Sequence, residues 1–80
     1  MKIINSGIRD VTEGKNVTVV APVNIYECQL GDAVTVGSGA SILTTEICSG
    51  AVIGAGSVVT RPVLIKGIYA GNPAKLLRTL

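Results

Sequence analysis

Histidine, phenylalanine and tryptophan are absent from these eighty residues, and tyrosine and cysteine occur only twice each. With no His and two Cys a metal centre lacks ligands, so no metal is expected. Without ring side chains there is no aromatic core to build, and a domain of this size buries only about 60% of its unfolded surface. Charge is sparse as well. Seven Lys and Arg against five Asp and Glu leave +2, too little and too scattered to track a phosphate backbone, and no nucleic-acid partner is expected. No apolar run approaches the ~18 residues that cross a bilayer, so no membrane partner is expected either. The opening MKIINSGIRD (1–10) has too short an apolar stretch to act as a signal peptide, which makes the cytoplasm the expected compartment. Asn16-Val17-Thr18 matches a glycosylation sequon and, without a secretory signal, reads as chance.

What the chain does have is Val, Ile, Leu and Ala in a fixed rhythm, within an apolar content of 48%. An aliphatic residue returns every six positions at Val11, Val17 and Val23. The rhythm resumes one residue late at Leu30, Val36 and Ile42, then one early at Ile47, Ile53, Val59 and Ile65. Six is neither the 3.6 of a helix nor the 2 of an alternating strand. It is the period of a parallel β-helix, each hexad supplying one short strand and a corner. Four places after the leading residue comes an inner partner, usually smaller: Val17 with Ala21, Leu30 with Val34, Val36 with Ala40, Ile47 with Ala51, Ile53 with Ser57, Val59 with Val63. Large then small suits an interior that tapers towards three corners. The outermost hexads break the rule, pairing Val11 with Lys15 and Ile65 with Tyr69, as terminal repeats of a solenoid do.

Three hexads per coil define three columns: Val11, Leu30, Ile47 and Ile65; Val17, Val36 and Ile53; Val23, Ile42 and Val59. Both slips of phase then fall at one corner, in a seven-residue rung holding Tyr26, Glu27 and Cys28 and a five-residue rung holding Thr44, Thr45 and Glu46. Glu27, Glu46 and Arg61 share that corner on successive coils; a surface ion-pair ladder and a catalytic carboxylate beside a cation are the two readings, the ladder preferred. Gly14, Gly39, Gly50 and Gly56 sit three places after a leading aliphatic, where a tight bend wants positive φ. GSGAS (37–41) and GAGSV (54–58) are therefore turns rather than dinucleotide loops, lacking a third Gly and a following helix. Cys28 and Cys48 stand about three residues apart along adjacent strands, roughly 10 Å, beyond disulfide reach. Two free thiols are expected, Cys28 inward and Cys48 near a corner. Asn72-Pro73 reads as a helix start, with Leu76, Leu77 and Leu80 covering the last coil. The chain thus divides into an N-terminal cap (1–10), a hexapeptide-repeat β-helix (11–70) of three to four coils and a C-terminal capping helix (71–80).

The segment AVIGAGSVVTRPVLIKGIYAGNPAKLLR (51–78) resembles the C-terminal signature of the left-handed β-helix, hexapeptide-repeat acyltransferases, which read I-G-A-G-S-V-V-T-[KR], a short loop, then A-G-x-P-A-K. VTEGKNVTVVAPVNIYECQLGD (11–32) is similar to the opening coils of members that acetylate amino sugars. Left-handedness is implied by this resemblance alone, since periodicity is silent on hand and ordinary crossovers are right-handed. The resemblance also implies a homotrimer with clefts between subunits and an acyl-CoA, acetyl-CoA or another, lying along the coils. The matching positions are Ala55, Ser57, Thr60, Arg61, Gly71, Lys75 and Arg78. The small ones would line the pantetheine arm, while Arg61, Lys75 and Arg78 would meet phosphates as charge-assisted donors. The other reading of these cations is solvated surface, and for Arg78 the capping role is preferred.

After Gly31-Asp32 the chain passes directly to coils that resemble the far end of the family, and the middle coils, which normally carry the general-base His, have no counterpart. No catalytic residue is therefore assigned. The expected function is an acyl-CoA-dependent, acyltransferase-like protein with weak CoA binding and little or no catalysis. The alternative is a non-catalytic trimeric binding or assembly module. An ice-binding solenoid would need ranks of Thr-x-Thr, which the scattered Thr12, Thr18, Thr35 and Thr60 do not supply.

Overall fold

The computed structural model describes residues 7–80. Residues 1–6 of the expected N-terminal cap lie outside the described residues, and from Gly7 the chain is already strand. Ten strands follow one another: β1 (Gly7–Glu13), β2 (Thr18–Val19), β3 (Asn24–Leu30), β4 (Thr35–Val36), β5 (Ser41–Leu43), β6 (Glu46–Ile47), β7 (Val52–Ile53), β8 (Val58–Val59), β9 (Gly67–Gly71) and β10 (Ala74–Thr79). All pairings are parallel except β9 with β10. One sheet runs β1-β3-β5-β8 with β6 beside β3, the other β10-β9-β7-β4-β2. This is a β-solenoid of about three turns, all-β, with no helix among the described residues.

Each strand turns two residues inward around one that faces out. Ala40 and Ile42 are buried about half-exposed Ser41, and Val34 with Val36, Ala51 with Ile53 and Ser57 with Val59 repeat the arrangement. Stacking then places like on like. Ile25 pairs Ile42, which pairs Val59; Val36 pairs Ile53, which pairs Tyr69; Leu30 pairs Ile47, which pairs Val63. Burying each such side chain stabilises by roughly 1.5–3 kcal/mol. Through the upper coils, equivalent residues such as Lys15 and Asp32 are 17 apart, because two sides of the prism take six residues and the third takes five; the last coil closes in 16, Ile47 on Val63 and Ile53 on Tyr69.

This repeat corrects the columns of the first coil. Val11 pairs with Cys28 rather than Leu30, and Val19 and Ile25, not Val17 and Val23, stand over Val36 and Ile42. Val17 and Val23 occupy the smaller inner position, in line with Val34 and Ala40. No seven-residue rung exists. Where both inward residues of a strand are aliphatic, as in Val17/Val19 and Val23/Ile25, the six-residue rhythm cannot say which one leads. At the other end Val63 takes the place expected for Ile65, which is exposed.

The corners repeat with the coils. Asn16, Ala33 and Gly50 are left-handed at one corner, Gly39 and Gly56 at the second, Glu27 and Thr44 at the third. Gly14 does not have the positive φ expected of it. A side chain there would collide with the Asp32 carboxylate, so Gly14 is required by the close approach of the next coil.

The C-terminal capping helix is replaced by a strand. β10 pairs antiparallel with β9, Ala74 opposite Gly71 and Thr79 opposite Gly67, with a bulge between Leu76 and Arg78. Gly71, at φ 106°, opens the Asn72-Pro73 turn. A helix of one or two turns is marginal in water, whereas β9 offers a row of unpaired N–H and C=O groups on its outer edge, and a strand satisfies them. A start signal at Asn72-Pro73 is shared by helices and turns.

Candidate functional site

Beneath the last coil the solenoid interior opens into a cavity of about 300 Å³ lined by Val59, Thr60, Arg61, Pro62, Val63, Tyr69, Pro73, Ala74 and Lys75. Its floor is the terminal layer of the core: Val59 and Val63 are buried, and Tyr69 and Ala74 pack against the core cluster. The Tyr69 hydroxyl is held away by donating to the Ile65 carbonyl at 2.6 Å. Thr60 and Arg61 arrive because the chain leaves β8 at this corner, and Lys75 because the β9–β10 turn folds back under the coil. Two exposed cations and a hydroxyl thus rim an apolar hollow, an arrangement that suits a ligand with an anionic group and an aliphatic arm.

The sequence-derived set is only partly gathered here. Thr60, Arg61 and Lys75 line the same cavity. Ala55 is exposed at the preceding corner, stacked under Gly37, where a side chain on Gly37 would come within 2.6 Å of the Ala55 nitrogen. Gly71 is exposed in the turn, and Arg78 lies on β10 opposite Ile68. Ser57 is wholly buried and its Oγ has no hydrogen-bond partner, which takes its hydroxyl out of any outer surface. Tyr69, Pro62 and Pro73 line the cavity without having been singled out. Tyr69 became visible there only once the second column, Val36 and Ile53, was known to end on it.

The expected carboxylate column also shifts. Glu27 shares its corner with Thr44, both with positive φ, while Glu46 pairs with the next strand's Gln29. Glu27 and Glu46 line a shallow hollow of about 320 Å³ with Gln29, Thr44, Thr45 and Pro62. Pro62 separates this hollow from the cation-rimmed cavity and lines both. No ion pair joins either carboxylate to Arg61 among the described residues. A third and larger groove, about 460 Å³, runs up one side past Thr12, Gln29, Glu46, Ser49 and Leu64. No group of His, Cys, Asp and Glu able to hold a metal occurs among the described residues.

Both thiols are free, as the offset along the strands requires. Cys28 is buried and donates to the carbonyls of Tyr26 at 2.8 Å and Ile42 at 3.2 Å; Cys48 is half-buried near a corner.

The described residues form a β-solenoid of about three turns, and its match to solved neighbours makes the fold that of the hexapeptide-repeat left-handed β-helices. No family model matches the chain, and no curated protein matches it. Solved structures do. A Bacillus cereus protein assigned as an acetyltransferase superposes with a TM-score of 0.72 and 32% identity, over 88% of this chain and 48% of its own. The acetyltransferase domain of PglB from Neisseria gonorrhoeae, solved in complex with acetyl coenzyme A, superposes with 0.54 and 20% identity, over 91% of this chain and 55% of its own. A maltose O-acetyltransferase from Clostridium difficile gives 0.52 and 16%, over 94% and 66%. The chain spans about half the length of the first of these neighbours. They share its acetyltransferase-type β-helix fold.

Proposed function

We propose that the chain is an acyltransferase-like, acyl-CoA-binding protein that works as a homotrimer in the cytoplasm, with weak binding of acetyl-CoA or another acyl-CoA and little or no acyl transfer. The observation that carries the reading is the convergence of Thr60, Arg61 and Lys75 on one apolar-floored cavity. A phosphate of the ligand would sit between Arg61 and Lys75, and the pantetheine arm would follow Ala55 and Gly71. Arg78 contributes long-range charge. The acetyl-CoA complex of the Neisseria domain supports the choice of ligand. The sequence contains no His, and among the described residues no carboxylate lines the cavity, Glu27 and Glu46 lying in the hollow beyond Pro62. Proton removal from an acceptor is therefore poorly served. A non-catalytic trimeric module is the second reading, and the same lack of a base favours it. Trimerisation is supported by the small core and by aliphatic side chains left exposed on the coils, such as Val20 and Leu43.

The test is a thermal-shift titration with acetyl-CoA. A ligand that binds only the folded state raises the melting temperature by mass action, and Arg61→Ala and Lys75→Ala should each reduce the shift. No shift at millimolar acetyl-CoA overturns the binding proposal. Light scattering that reports a folded monomer overturns the trimer.

A further inference from the structure

One end of this solenoid lacks acidic residues and, among the residues whose exposure is described, gathers exposed hydrocarbon. All five Asp and Glu lie at or before Glu46, and no acidic residue follows it. Arg61, Lys66, Lys75 and Arg78 all lie in the last layer of the stack, the arc below β8 and the β9–β10 hairpin. Among the residues whose exposure is described, the same layer carries most of the large aliphatic side chains left in solvent: Leu64 at 69%, Ile65 at 56%, Leu77 at 66% and Leu80 at 52%. Two contacts tie the hairpin to the arc that precedes it. The Leu80 amide donates to the Lys66 carbonyl at 3.1 Å, and Leu76 reaches over Gly67. Lys66 lays its methylenes across Gly50, where a side chain would meet them at 2.6 Å, so its stem is on the coil and its ammonium at the rim.

We propose that this end of the solenoid docks on an anionic lipid surface. Four cations complement a negatively charged headgroup layer, the carboxylate of Glu46 bordering the layer only in the side groove that Leu64 also lines, and the exposed aliphatic side chains of the layer enter the headgroup–acyl boundary. A polyanion such as RNA would use the cations and leave the aliphatics in water, and the layer has no exposed aromatic platform on which bases stack. The contact is peripheral, since no helix of the described chain is long and apolar enough to cross a membrane. The absence of an apolar run, from which no membrane partner was expected, bears only on spanning. The surface overlaps the cavity rim at Arg61 and Lys75, and Lys66 and Arg78 are its cations outside that rim.

The experiment is flotation with vesicles of phosphatidylcholine, with and without about a third phosphatidylserine, at low and at 0.5 M salt. Binding is expected on the anionic vesicles at low salt, lost on neutral vesicles and weakened at high salt. Reversing Lys66 and Arg78 together (Lys66→Glu, Arg78→Glu) should lower partitioning at least tenfold, given ~1 kcal/mol per cation, and Leu77→Ser should lower it severalfold. Lys15→Glu, on the first coil, should leave it within twofold. Circular dichroism of each variant separates lost docking from lost fold. Failure to float with anionic vesicles at low salt overturns the proposal, as does equal binding to neutral ones. So does finding the layer covered by a second copy, seen as an association that Leu77→Ser abolishes, or a preference for a polyanion that is unaffected by Leu77→Ser.

Discussion

Gly31→Ala isolates the effect of coil-to-coil contact, because Gly31 does not have a positive φ and the substitution carries no strain of that kind. The added Cβ would lie 2.5 Å from the Ser49 nitrogen, 2.6 Å from Ser49 Oγ and 2.8 Å from its Cα. Two of the three are backbone, so no rotamer change relieves the clash. The coils must part by several tenths of an ångström at this corner, where Gly31 donates to Ile47 at 2.8 Å and Asp32 donates to Ser49 Oγ at 2.9 Å. Overpacking of this kind costs about 1–3 kcal/mol, and weakening two hydrogen bonds adds about 1 kcal/mol. A loss near 3 kcal/mol follows, a large share of the total for a domain whose stability is ~0.1 kcal/mol per residue. In thermal unfolding followed by circular dichroism it corresponds to a fall of roughly 10–20 °C. Gly56→Ala is the comparison. Nothing lies within 4 Å of its missing Cβ, but its φ is 72°, so only backbone strain of about 1–2 kcal/mol is expected. The reasoning fails if Gly31→Ala melts within a few degrees of the wild type, or if Gly56→Ala is the worse of the two.

Other substitutions test other layers. Ile42→Ala, fully buried between Ile25 and Val59, should cost about 2–5 kcal/mol in urea unfolding. Ser57→Ala should be neutral or stabilising by about 1 kcal/mol, because it removes a buried hydroxyl without a partner; a clear loss would mean that the hydroxyl is satisfied in solution. Thiol titration with an aromatic disulfide should modify half-buried Cys48 first and Cys28 only on unfolding, and a non-reducing gel should show no internal disulfide. Gly67→Ala, which would push a methyl against the Leu76 side chain and the Arg78 carbonyl, should peel β10 from β9 and raise amide exchange along 74–79 without melting the coils.

The solenoid was readable in the residues because its core is a repeat: Leu30, Val36, Ile42, Ile47, Ile53 and Val59 all stand where the rhythm puts them. Its failures have one origin each. In the first coil Val17 and Val23 satisfy the inner position as well as Val19 and Ile25 satisfy the leading one, and only the hydrogen-bond register chooses between them. At the C-terminus, local propensity favoured a helix after Pro73, but the open edge of β9 is a tertiary fact that no local pattern contains. Site residues divide in the same way. Thr60, Arg61 and Lys75 were named through the resemblance of 51–78 to a family signature, whereas their meeting with one another and with Tyr69 at one cavity depends on the hairpin turn. Ser57 was legible as an inner residue from its place after Ile53, and its burial follows from that place.

A coil that closes on its own equivalent 17 residues later has a consequence for how such a chain can change length. Because Ile25, Ile42 and Val59 are interchangeable storeys of one column, removing or duplicating a whole coil leaves the next one resting on the same kind of surface, with every inward and outward assignment intact. Losing a single residue within a strand would instead turn that side's interior towards water, whereas a corner absorbs it: the last coil closes in 16, Ile47 on Val63 and Ile53 on Tyr69, with the interior kept. Three storeys therefore have the same kind of interior as a taller stack of them, and what each added storey brings is its own outward residues.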